Sequence, residues 1–504
     1  MGRTPFLEFL VSTRWLPQSP GRWLAAAVGP AVAVVVLLAP LPALSPEAHR
    51  LTAILAWVVL YWVTEPIPLP ATAVAGTLLS LLTGLDTWWH LLTFFVHPIV
   101  FLLIGSFLLA KAMAVHGLDR RFALSVLSPR AFHASPMRTL GALGVATAAI
   151  SMWISNAAAT ALMTPVALGI LAVLREGTTP VPARAQAGTL LLLSYAATAG
   201  GMMTLVGTPP NLLGVGLITE QTGTAIAFLT WMAAGLPLGI LLLTISFGVI
   251  SRQWADVNLE TTDLQQRLRG QGAALGSWTG GQTTTCLVFG LALAGWLLPG
   301  ILQAALGPAA PLSSWLSRSL APEIVAMGAA ALLFVVPTSL KDGATTLRWP
   351  DIFRINWGIL LLFGGGLALG HLTMRTGLGE VAGRGIVWLA GVESVWSLTA
   401  GAIAMAVLVS ELVSNTVAAS MVIPIVIAIA QAAGVSPVPP ALGACFASSL
   451  GFLLPVSTAP NAIVYATGLV PLSSMIRAGI YIDLFGALSI WIVLRLLLPI
   501  LGLA

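Results

Sequence analysis

Apolar runs of about 20 residues follow one another along almost the whole chain, separated by short polar segments. A run of that length crosses the hydrocarbon core of a bilayer as an α-helix. Because lipid offers no partners for backbone N–H and C=O groups, repeated apolar runs favour helices over strands. The pattern predicts about eleven membrane spans, near residues 24–43, 51–64, 68–85, 98–115, 188–218, 225–250, 283–304, 322–337, 357–372, 440–467 and 479–502. We therefore expect an all-α integral membrane protein.

Two longer apolar stretches, near 139–174 and 395–431, carry polar residues at their middle. The first stretch contains the pair 155–156 (Ser-Asn), and the second contains the triplet 414–416 (Ser-Asn-Thr). Each stretch is long enough to enter and leave the membrane on the same side. We therefore predict two re-entrant hairpins with the polar residues at their tips.

A second polar break follows each hairpin, at residues 207–211 and 457–461. The first break is Gly-Thr-Pro-Pro-Asn and the second is Ser-Thr-Ala-Pro-Asn. The serines that open the two tips are 259 residues apart, and the final asparagines of the two breaks are 250 residues apart. These near-constant offsets predict an internal duplication, with a first repeat at 51–250 and a second at 283–504.

An odd number of crossings, five, separates matching segments of the two repeats, so the repeats are predicted to be inverted relative to each other. Residues 1–50 form an N-terminal segment with the first span, and the polar stretch 251–282 is a predicted cytoplasmic linker. Inverted repeats with interrupted apolar segments are typical of secondary transporters, whose binding sites lie near the bilayer midplane.

Composition and charge support the membrane assignment. Of 504 residues, 58% are hydrophobic and 8% are charged, against roughly 25% charged residues in soluble domains. With a cytoplasmic N-terminus, sixteen of the 22 basic residues fall in cytoplasmic loops, four fall on the opposite side and two lie near span ends. This excess follows the positive-inside rule and predicts a multi-pass protein of the plasma (inner) membrane. The basic charge is therefore a topology signal and gives no indication of nucleic-acid binding.

The first apolar run, near 24–39, also fits a signal peptide, because a basic start precedes it. Its removal would invert the charge distribution, which favours the interpretation as a span. The cysteines at 286 and 445 both lie in apolar spans and are interpreted as small core residues rather than a disulfide or metal ligands.

The two tips have the chemistry of an ion site. A hairpin tip exposes helix N–H groups without intrahelical partners, which together with the helix dipole favour an anion. Neutral Ser, Asn and Thr donors add hydrogen bonds to carboxylate or sulfate oxygens, while carbonyl oxygens bind a small hard cation. A single Ser-Asn pair in a membrane helix more often serves interhelical hydrogen bonding. Its repetition, each time with a Thr-x-Pro-Asn break downstream, favours a binding site.

The tips and breaks resemble the signatures of the divalent anion/sodium symporter family, the carriers of dicarboxylates, citrate and sulfate. The segment 62–68 (Trp-Val-Thr-Glu-Pro-Ile-Pro) also resembles the family, and the likeness extends over nearly the whole chain. The resemblance implies a homodimer in which each subunit has a scaffold part and a transport part. The transport part would carry both hairpins and move like an elevator.

The resemblance also implies site residues. The substrate anion would bind Ser155, Asn156, Thr208, Ser414, Asn415, Thr416 and Thr458. The sodium ions would bind at Ser151, Ser155, Asn156, Gly207, Ser410, Val413, Asn415 and Ser457, with the backbone as ligand at 207, 413 and 457. No other cofactor is expected. The sequence departs from the family at Ala157, which lacks the hydroxyl present at Thr416, and at Ala459, where the family has proline. The two ends of the site are therefore chemically unequal.

The leading hypothesis is the sodium-coupled import of a di- or tricarboxylate. Sodium-independent exchange of dicarboxylates and sulfate transport remain alternatives within the same fold. We do not expect an enzyme, because the sequence has no HExxH motif, no clustered carboxylates and no Ser with a nearby His on a matching face. A structural membrane protein would not need two polar breaks in apolar sequence. Glu411, beside Ser410, is either a proton relay or a residue at the outer edge of the second tip.

Overall fold

The computed structural model describes residues 20–127, 135–175, 181–254, 270, 275–307, 310–339, 343–390 and 394–504. These residues form 21 α-helices and contain no β-strand, only an isolated bridge between Pro337 and Thr345. The predicted all-α fold is thus confirmed. Most of the predicted linker 251–282 and residues 1–19 of the N-terminal segment lie outside the described residues.

The helices up to residue 251 comprise one outer helix and the first half of the fold. Helix α1 is Pro20–Leu38. The first half contains α2 (Pro46–Thr64), α3 (Leu69–Leu82), α4 (Trp88–Thr93), α5 (Pro98–Val115), α6 (Leu118–Leu127), α7 (Pro136–Ser151), α8 (Asn156–Arg175), α9 (Ala183–Met203), α10 (Pro209–Thr222) and α11 (Phe228–Ser251). Short 3-10 helices follow α4 at Phe94–Val96 and α11 at Arg252–Trp254.

The second half repeats this order with one addition. It contains α12 (Gly280–Leu306), α13 (Pro311–Ser319), α14 (Pro322–Val335), a 3-10 helix (Trp349–Arg354), α15 (Trp357–Arg375), α16 (Leu378–Ala390), α17 (Val395–Leu412), α18 (Asn415–Ala432), α19 (Val438–Ala447), α20 (Ala459–Tyr465) and α21 (Leu472–Ile500). From α5 and α15 onward, each helix of the first half has a counterpart in the same order in the second. Helix α13 is the addition.

Matching residues end matching helices. Helices α5 and α15 are each followed by a glycine with positive φ, Gly117 (63°) and Gly377 (76°). That conformation is disfavoured for residues with a Cβ and ends a helix. The next helices, α6 and α16, begin directly afterwards. The two halves therefore share helix order and these helix ends, while the duplication itself and the inverted orientation of the halves stay predictions.

Seven helical segments in the described part of the chain are long and apolar enough to cross a membrane: Trp88–Val115, Phe228–Trp254, Gly280–Leu306, Trp357–Arg375, Val395–Leu412, Asn415–Ala432 and Leu472–Ile500. Helices α13 and α14 pass the same test together but are bent by 57° at their junction. Shorter apolar helices occur at Trp23–Leu38, Leu69–Leu82, Asn156–Ala172 and Val438–Ala447. These segments support a multi-pass membrane protein. The number of eleven crossings stays a prediction.

Two predicted spans, near 188–218 and 440–467, are each divided into two helices by the polar breaks. Sequence reasoning missed the short amphipathic helices α6, α13 and α16, because it searched for long apolar runs. The surface of the long helices is apolar, as lipid contact requires. On α12, for example, Leu287 and Leu291 are 64% and 63% exposed.

The two halves contact each other through the helices that flank the polar breaks. The second arm of the first hairpin, α8, contacts α20 of the second half, and the second arm of the other hairpin, α18, contacts α10. At the contact of α10 with α19, a Cβ added to Gly214 would lie 2.2 Å from Cys445 Sγ. Cys445 is thus a core residue as expected, whereas Cys286 is exposed and the core interpretation was wrong for it.

We predict that Gly214→Ala destabilises the protein by about 1–3 kcal/mol, because the new methyl group overpacks the junction of α10 and α19. The measurement is thermal unfolding of the purified full-length protein in detergent. Gly169→Ala is the matched control: it lies on α8 with no atom within 4 Å of its added Cβ, so its melting temperature should stay equal or rise. Equal melting temperatures for the two variants would contradict the close contact.

Candidate functional site

The first hairpin tip is closed by a hydrogen bond between its two arms. Helix α7 ends at Ser151 and helix α8 begins at Asn156. The Ser151 hydroxyl donates to Asn156 Oδ1 at 2.9 Å, and both side chains are buried. Ser155 is exposed at the tip, and its Oγ accepts the N–H of Ala158 at 3.3 Å. Ser151, Ser155 and Asn156 therefore lie together, as the sequence predicted.

The second tip repeats this bond. The hydroxyl of Ser410, near the end of α17, donates to Oδ1 of Asn415, the first residue of α18, at 3.1 Å. The same hydroxyl lies 2.7 Å from the carbonyl oxygen of Ser448, and Asn415 Nδ2 donates to the carbonyl of Ser449 at 3.3 Å. The second tip is thus attached directly to the non-helical segment that follows α19.

An asparagine holds each polar break in shape. Asn211 Nδ2 donates to the carbonyls of Gly201 (2.8 Å) and Thr204 (2.7 Å), which lie at and just after the end of α9. Asn461 Nδ2 donates with the same spacing to the carbonyls of Gly451 (2.9 Å) and Leu454 (3.0 Å), which lie 10 and 7 residues before it. Both asparagines are fully buried. A helix end without such partners would leave buried carbonyls unsatisfied.

Glycines let each tip approach its break. A Cβ on Gly201 would lie 2.1 Å from Asn156 Oδ1, and a Cβ on Gly207 would lie 2.6 Å from the carbonyl oxygen of Gly201. In the second half, a Cβ on Gly451 would lie 3.2 Å from Ser410 Oγ and 3.3 Å from the Cβ of Ser457. In each half, two of the residues assigned to sodium by resemblance therefore lie against one glycine: Asn156 and Gly207 at Gly201, and Ser410 and Ser457 at Gly451.

The remaining predicted residues lie at the starts of helices. Thr208 and Thr458 precede α10 and α20 with similar extended backbone angles, and Thr458 Oγ1 accepts the N–H of Asn461 at 3.3 Å. Val413 is buried in the second tip, and Ser414 and Thr416 are half-buried beside Asn415. Hydrogen bonds among the predicted residues, within the described chain, stay inside one half. The structure thus forms two similar half-sites.

The two half-sites offer neutral oxygen atoms and helix N-termini. Hydroxyl, amide and carbonyl oxygens are the ligands that small hard cations prefer. The first turns of α8 and α18 present N–H groups that favour an anion. None of the hydrogen bonds described at the tips and breaks involves a lysine or an arginine. A cavity of about 230 Å³, with Ile150 and Trp153 of the first tip in its lining, and one of about 320 Å³ beside α18 are both lined mainly by apolar residues.

The half-sites differ at the asparagine clamps. Asn461 Oδ1 accepts a hydrogen bond from Ser194 of the first half at 2.6 Å. Asn211 Oδ1 is buried and has no partner among the described residues. The residue matching Ser194 at the offset of 250 is Ala444, which is fully buried on α19. Helix α19 contacts α10 beside Asn211, since Cys445 Sγ lies 3.4 Å from the carbonyl oxygen of Pro210.

Glu411 is the second difference. Its carboxylate accepts the backbone N–H groups of Phe452 (2.8 Å) and Leu453 (3.1 Å) and lies 2.9 Å from Ser457 Oγ. The side chain is therefore inside the second half-site, and the interpretation as an outer-edge residue was wrong. The matching residue of the first half is Met152.

Asp483 of α21 completes this arrangement. It is 5% exposed, and its carboxyl group lies within hydrogen-bonding range of Glu411. Neither of its oxygens has an N–H or O–H partner among the described residues. Gly479, one turn earlier on the same helix, packs against the backbone of Phe452 and Leu453. Two ionised carboxylates in such contact repel each other, so a hydrogen bond between them requires one proton, and because Glu411 already accepts two backbone N–H groups, Asp483 is placed to be the donor.

Sequence reasoning missed Ser194, Ser448, Ser449 and Asp483. Ser448 and Ser449 act through their carbonyl oxygens, which no side-chain pattern indicates. Ser194 and Asp483 are single polar residues inside apolar spans, which is a signal for a functional or structural partner. The partners of both residues lie on other helices.

We predict opposite effects for two serine changes at the asparagine clamps. Ser194→Ala should lower the free energy of unfolding by about 1–3 kcal/mol, because Asn461 Oδ1 loses its buried donor. Ala444→Ser should raise it by about 0.5–1.5 kcal/mol by giving Asn211 Oδ1 a donor. Thermal unfolding of both variants measures the difference. A lower melting temperature for Ala444→Ser would contradict the matched geometry of the two clamps.

We also predict that Glu411→Leu lowers the free energy of unfolding by about 2–5 kcal/mol, because two backbone N–H groups and Asp483 lose their acceptor. Asp483→Asn should change stability little, because the amide still donates to Glu411. Asp483→Leu removes the hydrogen bond but keeps an apolar side chain in place. Its free energy of unfolding should lie between those of Glu411→Leu and Asp483→Asn. A melting temperature of Glu411→Leu equal to that of the unmodified protein would exclude a structural role for this carboxylate.

Comparisons with known proteins agree with this geometry. Residues 21–503 match the family model described as "Sodium:sulfate symporter transmembrane region". The chain is 31% identical over 501 residues to the "Sodium-dependent dicarboxylate transporter SdcS" of Staphylococcus aureus (strain bovine RF122 / ET3-1), covering 98% of this chain and 94% of that protein. The same transporter from strain MRSA252 is 30% identical with the same coverage.

Two solved structures share the fold. The YdaH transporter of Alcanivorax borkumensis matches with a TM-score of 0.52 and 14% identity, covering 96% of this chain and 97% of that chain. MtrF of Neisseria gonorrhoeae matches with the same TM-score and coverage and 12% identity. At this identity the likeness concerns the fold alone. The resemblance inferred from the tips and breaks is confirmed by the family match, and the chain belongs to the sodium:sulfate symporter family of multi-pass membrane transporters.

Proposed function

We propose that this protein is a secondary active transporter that imports a di- or tricarboxylate together with sodium. The observation that carries the proposal is the pair of hydrogen-bonded Ser-Asn tips, each packed against its own polar break. The relatives named as sodium-dependent dicarboxylate transporters cover almost the whole chain, which supports the same substrate class. All these relatives are transporters, which supports a role other than that of an enzyme.

One sodium ion binds in each half-site. In the first half its ligands are Ser151, Ser155, Asn156 and the backbone at Gly207. In the second half they are Ser410, Asn415 and the backbone at Val413 and Ser457. These groups offer neutral oxygen atoms as ligands, and hydrogen bonds and close glycine contacts bring them together. The carboxylate of Glu411 adds negative charge beside the second ion, whereas Met152 adds none beside the first.

The substrate anion binds between the tips. Its carboxylates accept hydrogen bonds from Ser155, Asn156 and Thr208 at one end. At the other end they bind Ser414, Asn415, Thr416 and Thr458. The half-buried tips and the free N–H groups at the starts of α8 and α18 support this assignment. Ala157 makes the first end poorer in hydroxyl groups, which favours substrates with unequal ends.

Transport follows an elevator-type movement of a part that carries both hairpins, in each subunit of a homodimer in the plasma (inner) membrane with the N-terminus in the cytoplasm. The contacts of α8 with α20 and of α18 with α10 support a single moving unit, because they join both hairpins to both breaks. Inverted repeats give such a unit two equivalent positions, one open to each side.

Sulfate is the second candidate, because the matching family model is named for sodium:sulfate symport and the unequal tips suit an anion smaller than a dicarboxylate. Sodium-independent exchange of dicarboxylates is the remaining alternative within this fold. Uptake into proteoliposomes separates these possibilities. Symport requires an inward sodium gradient, whereas exchange requires an anion inside the vesicle.

We predict that succinate, malate or citrate raises the melting temperature of the full-length protein in sodium but much less in potassium, because a ligand that binds the native state stabilises it. Thr416→Ala should weaken the stabilising anion's apparent affinity roughly tenfold or more, through loss of a charge-assisted hydrogen bond. Thr244→Ala is the matched control, since this exposed threonine bonds only within its own helix. Stabilisation by sulfate alone would favour the second candidate, and equal effects of sodium and potassium would overturn sodium coupling.

A further inference from the structure

Three metal-ligating side chains meet at a place far from the two tips in sequence and outside both half-sites. Asp86 lies in the connection between α3 and α4, His90 lies on α4, and His371 lies in the last turns of α15. Their ligand atoms all lie within 4.8 Å of one another. Two of the three elements belong to the first half and one belongs to the second.

The distances fit a small metal ion. Asp86 Oδ2 lies 2.8 Å from His90 Nδ1 and 3.8 Å from His371 Nε2. Ligands of a tetrahedral zinc ion, at bond lengths near 2.0–2.2 Å, are separated by roughly 3.4 Å. Shifts of less than about 1 Å in each direction would therefore bring Asp86 and either histidine to that separation. His90 is 46% exposed, which gives the ion a path from solvent.

Asp86 is prepared as an anionic ligand. Its side chain is 4% exposed, and Arg375 Nη1 lies 2.6 Å from Oδ1, which leaves Oδ2 directed at the two imidazoles. Burial acts to raise the pKa of Asp86, but the hydrogen bond from the Thr87 N–H and the contacts with Arg375 and His90 hold it below its usual range. A neighbour that fixes the second oxygen of a ligating carboxylate is a common feature of metal sites.

An ion pair with Arg375 and a hydrogen bond to His90 Nδ1 explain the positions of Asp86, Arg375 and His90, but not that of His371. The rings of His90 and His371 meet edge to face, with centroids 4.7 Å apart. His371 Nε2 is buried and has no hydrogen-bond partner among the described residues. A buried ring nitrogen without a partner, directed at a carboxylate oxygen and a second imidazole, is a free position for a metal bond.

We propose that Asp86, His90 and His371 bind a zinc ion that links α4 to α15. Imidazole nitrogen and carboxylate oxygen are ligands of zinc, and a water molecule would fill the fourth position. The ion would take the place of the hydrogen bond between His90 and Asp86, and His371 Nε2 would gain the partner it lacks. The charge of Arg375 opposes the ion, so binding is weaker than at a closed site of four protein ligands. The predicted topology places Arg375 opposite the cytoplasm, so the ion would enter from outside.

The test uses the purified full-length protein without a histidine tag, titrated with zinc chloride in isothermal titration calorimetry and thermal unfolding. We expect one zinc ion per chain and a higher melting temperature that a chelator reverses. No transport activity is required for either readout, so the result does not depend on the proposed function.

His90→Gln and His371→Gln should each weaken zinc binding at least about tenfold. His90 is the more informative position, because its loss leaves the ion pair of Asp86 with Arg375 intact and the variant should fold. His49→Gln is the matched control, since His49 bonds to the carbonyl of Val36 and lies outside the cluster. Absence of zinc binding, or equal binding by His90→Gln and by His49→Gln, would overturn the proposal.

Discussion

The structure depends on one constraint, that a helix interrupted inside apolar surroundings must still satisfy its backbone carbonyls. Asn211 donates two hydrogen bonds to carbonyls at and just after the end of α9, and Asn461 donates two to the carbonyls of Gly451 and Leu454 in the non-helical segment between α19 and α20. The breaks hold their shape because of these bonds. With the backbone held, glycines allow each hairpin tip to approach within contact distance. The half-sites thus depend on Asn211 and Asn461, two residues that were not predicted to bind substrate or sodium.

This arrangement occurs twice, in two half-sites that are similar but not equal. The Ser-Asn bond and the asparagine clamp recur, whereas Ser194 has no counterpart at Ala444 and Glu411 has none at Met152. Each difference changes the number of hydrogen bonds that a half-site makes to its surroundings. The second half-site has a carboxylate bound to two backbone N–H groups, and Asp483 attaches it to α21. It therefore has more hydrogen bonds to its surroundings and more acidic side chains than the first.

Sequence patterns predicted the local features well and the contacts between distant segments poorly. The hairpins, expected at 139–174 and 395–431, span α7–α8 and α17–α18 within a few residues, because a polar tip between apolar arms is a local signal. The carbonyls of Ser448 and Ser449, and the pairing of Asp483 with Glu411, depend on how helices meet. A single sequence does not indicate which helices pack against each other. The cluster around Asp86 was missed for the same reason.

The absence of lysine and arginine from the hydrogen bonds described at the tips bears directly on coupling. A dicarboxylate carries two negative charges, and moving charge out of water into a low-dielectric site is costly unless opposite charge accompanies it. Hydroxyl and amide donors orient such an anion but do not neutralise it. A cation bound at the neighbouring oxygen ligands supplies the missing charge, so anion and cation each lower the cost of binding the other. Under the proposed function, dependence on sodium would follow from the lack of basic ligands at the tips, and a basic residue at either tip would weaken it.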